Sequence, residues 1–258
     1  EGRNAMAVAR VMTDRANELQ AVLSPGLGET ASCSAPATKR KAHELEQVLW
    51  GACQRGQVPV VRQLLERLPP SSVDSAASRS MMAAVAGGSI EVAEALLAAR
   101  ANVNSHTDER GACPLVAAAD EGAGKMIRWL LAANANPNSA SLDGTTALMA
   151  ASARGSSGSV KDLLAARADS GQHAKGGWTA LMVSGQSGRV EVAKLLLDAR
   201  AQLEATNTDG STARSLALAA GHSELVKLLD TRARLSARRA KAVKEGGGAG
   251  VGPEVGTE

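Results

Sequence analysis

The sequence contains no Phe and no Tyr, and its only aromatic residues are three Trp: Trp50, Trp129 and Trp178. A chain this poor in rings cannot fill a thick core with them. It also lacks the stacking platforms on which RNA-recognition and oligonucleotide-binding folds hold bases. Its three cysteines, Cys33, Cys53 and Cys113, are odd in number and far apart, so they form neither a disulfide framework nor a metal-ligand pattern. Such cysteine usage fits a reducing compartment, the cytoplasm or the nucleus. No apolar run approaches the roughly 18 residues of a membrane span, and the first residues lack the apolar core of a signal peptide. Gly246-Gly247-Gly248 has no strand before it and no Lys-Ser/Thr after it, so no phosphate loop is present. Basic charge is also scarce outside one segment. Residues 231–245 carry six cations against Glu245, residues 246–258 carry Glu254 and Glu258, and the total is +3, which leaves residues 1–230 neutral. A neutral body argues against nucleic acid as the principal partner.

Alanine is abundant instead, with 51 residues, about one in five, so helices packed closely through Ala and Leu are the expected way to build a core. Leu-Leu pairs recur along the chain. The aligned Leu falls at 64, 96, 130, 163, 196 and 229, giving intervals of 32, 34, 33, 33 and 33. An independent series, Gly56, Gly88, Gly122, Gly155, Gly188 and Gly221, keeps the same five intervals. Two residue types holding one period over six units establish an internal repeat of about 33 residues.

Each unit has the same grammar. Asp143-Gly144-Thr145-Thr146-Ala147-Leu148-Met149 opens one unit and Gly177-Trp178-Thr179-Ala180-Leu181-Met182 the next. The Gly-plus-Thr opening is turn chemistry, and Thr146 and Thr179 sit where a helix N-cap belongs. A short Ala-rich helix follows and ends at the periodic glycine, a natural left-handed stop. A second helix follows, as in Glu191-Val192-Ala193-Lys194-Leu195-Leu196-Leu197, with apolar residues at three- and four-residue spacing. Burying the Leu pair contributes roughly 3–6 kcal/mol per unit, while ordering the unit costs several times that. A unit therefore cannot fold alone, and stacking must supply the difference. The end units should then be polar where inner units are apolar. Asp230 stands where Leu197 stands one unit earlier, and Arg214 where Leu181 stands, so both read as a C-terminal cap.

The pattern resembles the ankyrin repeat over residues 44–230, about six units with degenerate first and last copies. The resemblance rests on Thr179-Ala180-Leu181-Met182, the Gly188 turn, Val192 with Leu195-Leu196, and the closing hairpin residues Ala101-Asn102-Val103-Asn104 and Ala135-Asn136-Pro137-Asn138. The family's Thr-Pro-Leu-His is nowhere complete, and its closing Gly is replaced by Arg100, Asn134, Arg167 and Arg200. If that site requires positive φ, each Arg costs roughly 1 kcal/mol. The resemblance implies an all-α fold, an α-solenoid of helix-turn-helix units joined by β-hairpin-like loops. It implies a protein partner docked on the hairpin tips and first helices. Those positions map onto Glu109, Arg110, Asp120 and Glu121 in the third unit and onto Leu142, Asp143, Thr145 and Arg154 in the fourth. They map onto Lys175, Trp178 and Gln186 in the fifth, and Thr208, Asp209 and Ser211 in the sixth. Trp178 is read equally as an exposed anchor or as packing against a neighbouring hairpin. Trp129 is expected in the core, and Trp50 at the N-terminal end of the stack. Asn104 and Asn138 match the hairpin Asn that an asparagine hydroxylase modifies in some ankyrin-repeat proteins, or else simply close their turns.

The flanks divide into a candidate helix over residues 1–23, a linker over 24–43, a basic helix over 231–245 and a disordered tail over 246–258. His43, His106, His173 and His222 fall in four different places, so no catalytic, metal or cofactor site is expected. Cys53 occupies an Ala-type helix position and should be buried, while Cys113, before Pro114, should be more exposed. The leading expectation is a monomeric, non-enzymatic interaction scaffold or adaptor. One alternative is the targeting portion of a larger enzyme or channel, such as a ubiquitin ligase subunit or kinase, which the opening Glu1 permits, Met6 being the native start otherwise. Another is a nucleic-acid-associated regulator using the basic C-terminal stretch.

Overall fold

A computed structural model describes residues 35–105 and 111–246. The chain divides into two units, Glu1–Arg40 and Lys41–Glu258. Of the first, the described part is the start of a helix. The candidate helix over 1–23 and the tail beyond Gly246 lie outside the described residues.

The described residues form twelve helices in six pairs. The pairs are α1 (Ala35–Gln54) with α2 (Val58–Arg67), α3 (Pro70–Ala86) with α4 (Ile90–Ala98), and α5 (Pro114–Glu121) with α6 (Gly124–Ala132). They continue with α7 (Ala147–Arg154) and α8 (Ser157–Ala165), α9 (Ala180–Gln186) and α10 (Val190–Asp198), and α11 (Ala213–Ala219) and α12 (Ser223–Gly246). Each pair meets across one of the periodic glycines. All six of those glycines have positive φ, from 67° to 81°, as a left-handed helix stop requires. Thr146 accepts a hydrogen bond from the Met149 amide and Thr179 one from the Met182 amide, each at 3.3 Å. Thr212 and Ser215 exchange reciprocal caps at 3.2 and 2.9 Å.

Stacking buries the predicted stripe. Leu64, Leu96, Leu130, Leu163, Leu196 and Leu229 are all at most 1% exposed. The other Leu of each pair is at best half-buried, and Leu97 is 37% exposed. One Leu per unit, not two, is therefore fully removed from water, and small residues such as Ala83, Ala118, Ala151 and Ala217 complete the contact. First helices pack in sequence from α3 to α11. Second helices pack as α2 on α4 and as α6, α8, α10 and α12 in turn, whereas α4 and α6 pack less closely than any of these pairs.

Hairpin-like loops join the later units. Ala140 bridges Thr146 and Ala174 bridges Trp178, while the Asn207 amide donates to the Ser211 carbonyl at 3.0 Å. The tips are laced to one another: the Lys175 amide donates to the Asp143 carbonyl at 2.7 Å and the Thr208 amide to the Gly176 carbonyl at 2.8 Å. The first junction differs. Only Leu68 and Pro69 separate α2 from α3, and α3 runs for 17 residues. Pro70 starts that helix at a position where the missing N–H costs nothing, and Ser71 to Arg79 contain no Gly or second Pro to break it.

Two segment boundaries and the burial of one cysteine differ from the sequence reading. Helix α1 begins at Ala35, inside the expected linker, with Pro36 in its first turn. The basic segment over 231–245 is not a separate helix but the second half of α12, because nothing between Ser223 and Glu245 is Gly or Pro. Cys113 is buried at 1% exposure rather than accessible. In the last unit Arg214 Nε meets Asp230 Oδ1 at 2.5 Å.

Candidate partner-binding surface

Five of the expected contact residues converge. Asp120 ends α5, Asp143 and Thr145 sit on the hairpin before α7, and Lys175 and Trp178 sit on the hairpin before α9. Together they line an open groove of about 340 Å³. Its floor is apolar: Met149, Ala150 and Ala153 from α7, Ala174, and Val183 from α9. The sequence reading missed that floor because Met149 and Ala150 carry the periodicity of core residues, and they are indeed buried.

Trp178 is half-buried and packs against the core while its ring walls the groove. The bridge between Ala174 and Trp178 sets its backbone, with Gly176 and Gly177 at φ of 75° making the turn possible. Asp143 is equally fixed. Its Oδ1 accepts from the Ser141 hydroxyl at 2.5 Å and from the Thr145 amide at 3.0 Å. The Ser141 hydroxyl, then the Thr145 amide, hold its carboxyl below the usual carboxylate range. The groove therefore presents a preset negative charge on one wall and the Lys175 ammonium with an indole on the other.

The remaining expected residues lie around the groove or beyond it. Leu142 is 75% exposed at the hairpin tip, over Gly111. Glu121 is exposed beside Asp120, and Arg154 is exposed at the end of α7 with its side chain over Gly122. Gln186 is exposed at the end of α9, and its carbonyl lies 3.1 Å from His222 Nε2. Thr208 and Asp209 are exposed on the next tip, and Ser211 is half-buried there. Glu109 and Arg110 lie outside the described residues.

Asn104 and Asn138 do something the sequence did not suggest. Asn102 and Asn136 close the local turns, accepting from the Asn104 and Asn138 amides at 2.9 and 3.0 Å. Asn104 and Asn138 instead reach the next unit. Their Oδ1 atoms accept from the Asn136 and Asp169 amides, both at 2.7 Å. Their Nδ2 groups donate to the Asn134 and Arg167 carbonyls, both at 3.4 Å. Gly171 stands at the next equivalent position and has no side chain to continue the series.

Trp129, expected in the core, is only half-buried. Together with Leu97, Ala98, Ala132, Ala133 and Glu94 it lines a second open slot, of about 480 Å³, on the face of the second helices. Trp50 is 41% exposed. No Trp, then, is a core residue. Burial pushes the Cys53 thiol up to about 12, against the opposing effect of a hydrogen bond from Ser80, which suits a packing residue and not a nucleophile.

Among the described residues no three His, Cys, Asp or Glu side chains gather as metal ligands, and no helix is long and apolar enough to cross a membrane. No curated protein matches the chain. A family model for ankyrin repeats in three copies matches it three times in overlapping stretches, over residues 49–141, 80–173 and 148–238. With six stacked helix pairs, left-handed glycine turns and laced hairpins, the chain belongs to the ankyrin-repeat family.

Proposed function

We propose that this chain is a non-enzymatic scaffold or adaptor that binds a protein partner in the groove between the fourth and fifth units. Ankyrin repeats are in general protein-protein interaction modules. The observation that carries the reading here is the position of Trp178. It is one of only three rings in the chain, it packs on the core on one side, and it walls an apolar-floored groove on the other. A ring held in this way contributes contact area with little entropy left to lose on binding. Asp120, Asp143 and Lys175 at the rim then select register by charge and not by bulk affinity. Leu142, Glu121 and Arg154 extend the surface along the neighbouring tip and helix end. Modification of Asn104 or Asn138 by a hydroxylase belongs to the same reading, and requires first opening two hydrogen bonds to the next unit.

The test is affinity capture from the native cells with quantitative mass spectrometry, comparing the wild type with Trp178→Ala and with Leu97→Glu as a control on another face. The expected result is a partner retained by wild type and by Leu97→Glu but lost by Trp178→Ala. Equal capture by all three proteins would overturn the assignment of the groove. Folding of each variant is checked by far-ultraviolet circular dichroism.

A further inference from the structure

We propose that the hairpin groove selects an extended segment of its partner by an arginine, with a carboxylate about three residues away from it. The inference rests on the reading of that groove as the partner site and names the chemistry that fills it. Charge in the lining carries it. Three charged side chains line the groove, each from a different unit: Asp120 from the third, Asp143 from the fourth and Lys175 from the fifth. All three are exposed, and none forms an ion pair among the described residues. In the order of the units the lining therefore runs acid, acid, base. Outside the lining, exposed Glu121 extends the acidic end, and the Arg154 side chain lies over Gly122 without pairing with either Asp.

The surface between the charges narrows the choice of side chain. Ala153, Ala174, Val183 and the Trp178 ring make it apolar. A small hydrated cation would leave that surface uncovered. An apolar side chain would cover it but leave two carboxylates desolvated and unpaired. A long aliphatic stem ending in a cation does both jobs, the stem on the apolar surface and the head at the carboxylates. Arginine suits the groove better than lysine. Its planar head stacks on an indole and carries several donors in one plane, enough for two carboxylates. Asp143 is set to receive it. Its Oδ1 already accepts from the Ser141 hydroxyl at 2.5 Å and the Thr145 amide at 3.0 Å, while no hydrogen bond among the described residues uses its Oδ2. Lys175 repels the same guanidinium and attracts a carboxylate instead, so the segment must change sign along its length. Neighbouring helices stand about 8–10 Å apart, and an extended chain advances about 3.3 Å per residue. The step of one unit from Asp143 to Lys175 thus spans about three residues. A segment of acids alone meets Asp120 and Asp143, and a segment of bases alone meets Lys175.

The test presents a phage-displayed library of random linear peptides to the full chain. Peptides retained by wild type and lost by Trp178→Ala should be enriched in Arg with Asp or Glu about three residues away. The best of them is then synthesised and its affinity read by fluorescence anisotropy. Replacing its Arg by citrulline keeps the shape and removes the charge, and should weaken binding roughly tenfold or more. On the protein, Asp143→Asn keeps an Oδ1 acceptor for the Ser141 and Thr145 bonds and touches no core residue. Combined with Asp120→Asn it should cost the Arg peptide roughly tenfold and leave the citrulline peptide unchanged. Lys175→Glu should make the peptide with Lys in place of its acid the better binder. Peptides that depend on Trp178 but tolerate citrulline, or that bind the double Asn variant undiminished, would overturn arginine selection while the groove stays the partner site. Peptides that need Arg yet bind Trp178→Ala as well as wild type would overturn the groove and this inference together. Arg enriched without a neighbouring acid would overturn the pairing with Lys175. No enrichment over the bare support would overturn the proposal, and the groove would still have its own test by capture from cells.

Discussion

At the scale of single residues, the most informative positions are those where a side chain sits in backbone space that suits glycine. Arg100, Arg167 and Arg200 have φ of 63°, 64° and 63°, and Asn134 has 62°. Asn tolerates this conformation, but Arg with its Cβ does not tolerate it freely. The array accepts the strain because the amide after each of these residues bonds back into the helix: the Ala101, Ala168 and Ala201 amides donate to the Leu96, Leu163 and Leu196 carbonyls at 2.9–3.0 Å. The turn is fixed by those bonds, so the residue in it must comply. Arg167→Gly should therefore stabilise the fold. Relief of roughly 1–2 kcal/mol, less roughly 0.5–1 kcal/mol for the greater freedom of Gly in the unfolded chain, leaves a gain of roughly 0–1.5 kcal/mol. Urea unfolding should show a higher midpoint at unchanged slope. A lower midpoint would mean that the Arg167 side chain contributes more than the strain it imposes.

At the scale of helices and loops, the period of the Leu and Gly series made the architecture legible before any coordinates. It placed the caps at Thr146 and Thr179 and the stops at the six glycines, because local backbone chemistry decides those features. What periodicity could not show was the depth of each residue within the stack. Leu65, Leu131, Leu164 and Leu197 share the helical stripe of their buried neighbours yet are half-exposed, and Trp129 lies in a Leu-type position that faces a gap rather than a core. Such differences depend on how far apart successive units stand, and no local pattern records that spacing. The hairpin groove was legible only at its rim for the same reason: polar and aromatic tip residues stand out, whereas its floor of Met149, Ala150 and Val183 is written in core letters. The stripe itself gives a direct check. Leu163 is fully buried in α8, between two neighbouring second helices, and Leu163→Ala should cost roughly 2–5 kcal/mol. The loss should appear as one lowered cooperative transition in chemical unfolding, since each unit leans on its neighbours. A separate early transition confined to the fourth unit would contradict that coupling.

For the whole molecule, the question is what ends the stack and what the charged extension beyond it contributes. The last unit closes with Arg214 against Asp230, where inner units have Leu181 and Leu197. Asp230→Leu should leave folding nearly unchanged, because among the described residues no unit packs on that face, but should add apolar surface to an end of the array where Leu218 is already 60% exposed. Sedimentation velocity should then show self-association that the wild type lacks, and a strongly lowered melting temperature instead would place Asp230 inside the stack. Beyond Asp230, α12 continues without a break to Gly246. Leu225 and Leu229 anchor its first half in the core, and Arg232 ties it to Asp198 at 2.5 Å, but Leu235 is already 47% exposed. Residues 231–238 therefore add charge and little burial. Six cations against Glu245 attract phosphate or acidic surfaces at low salt, and such attraction falls steeply as salt is raised. Recognition in a groove whose lining is largely apolar does not fall in that way. Partner affinity for the full chain and for a chain ending at Asp230 should thus be similar at near-physiological salt, with the full chain ahead only at low salt. If truncation abolishes binding at both salt concentrations while Trp178→Ala leaves it intact, the extension is the recognition element and the repeats are its support.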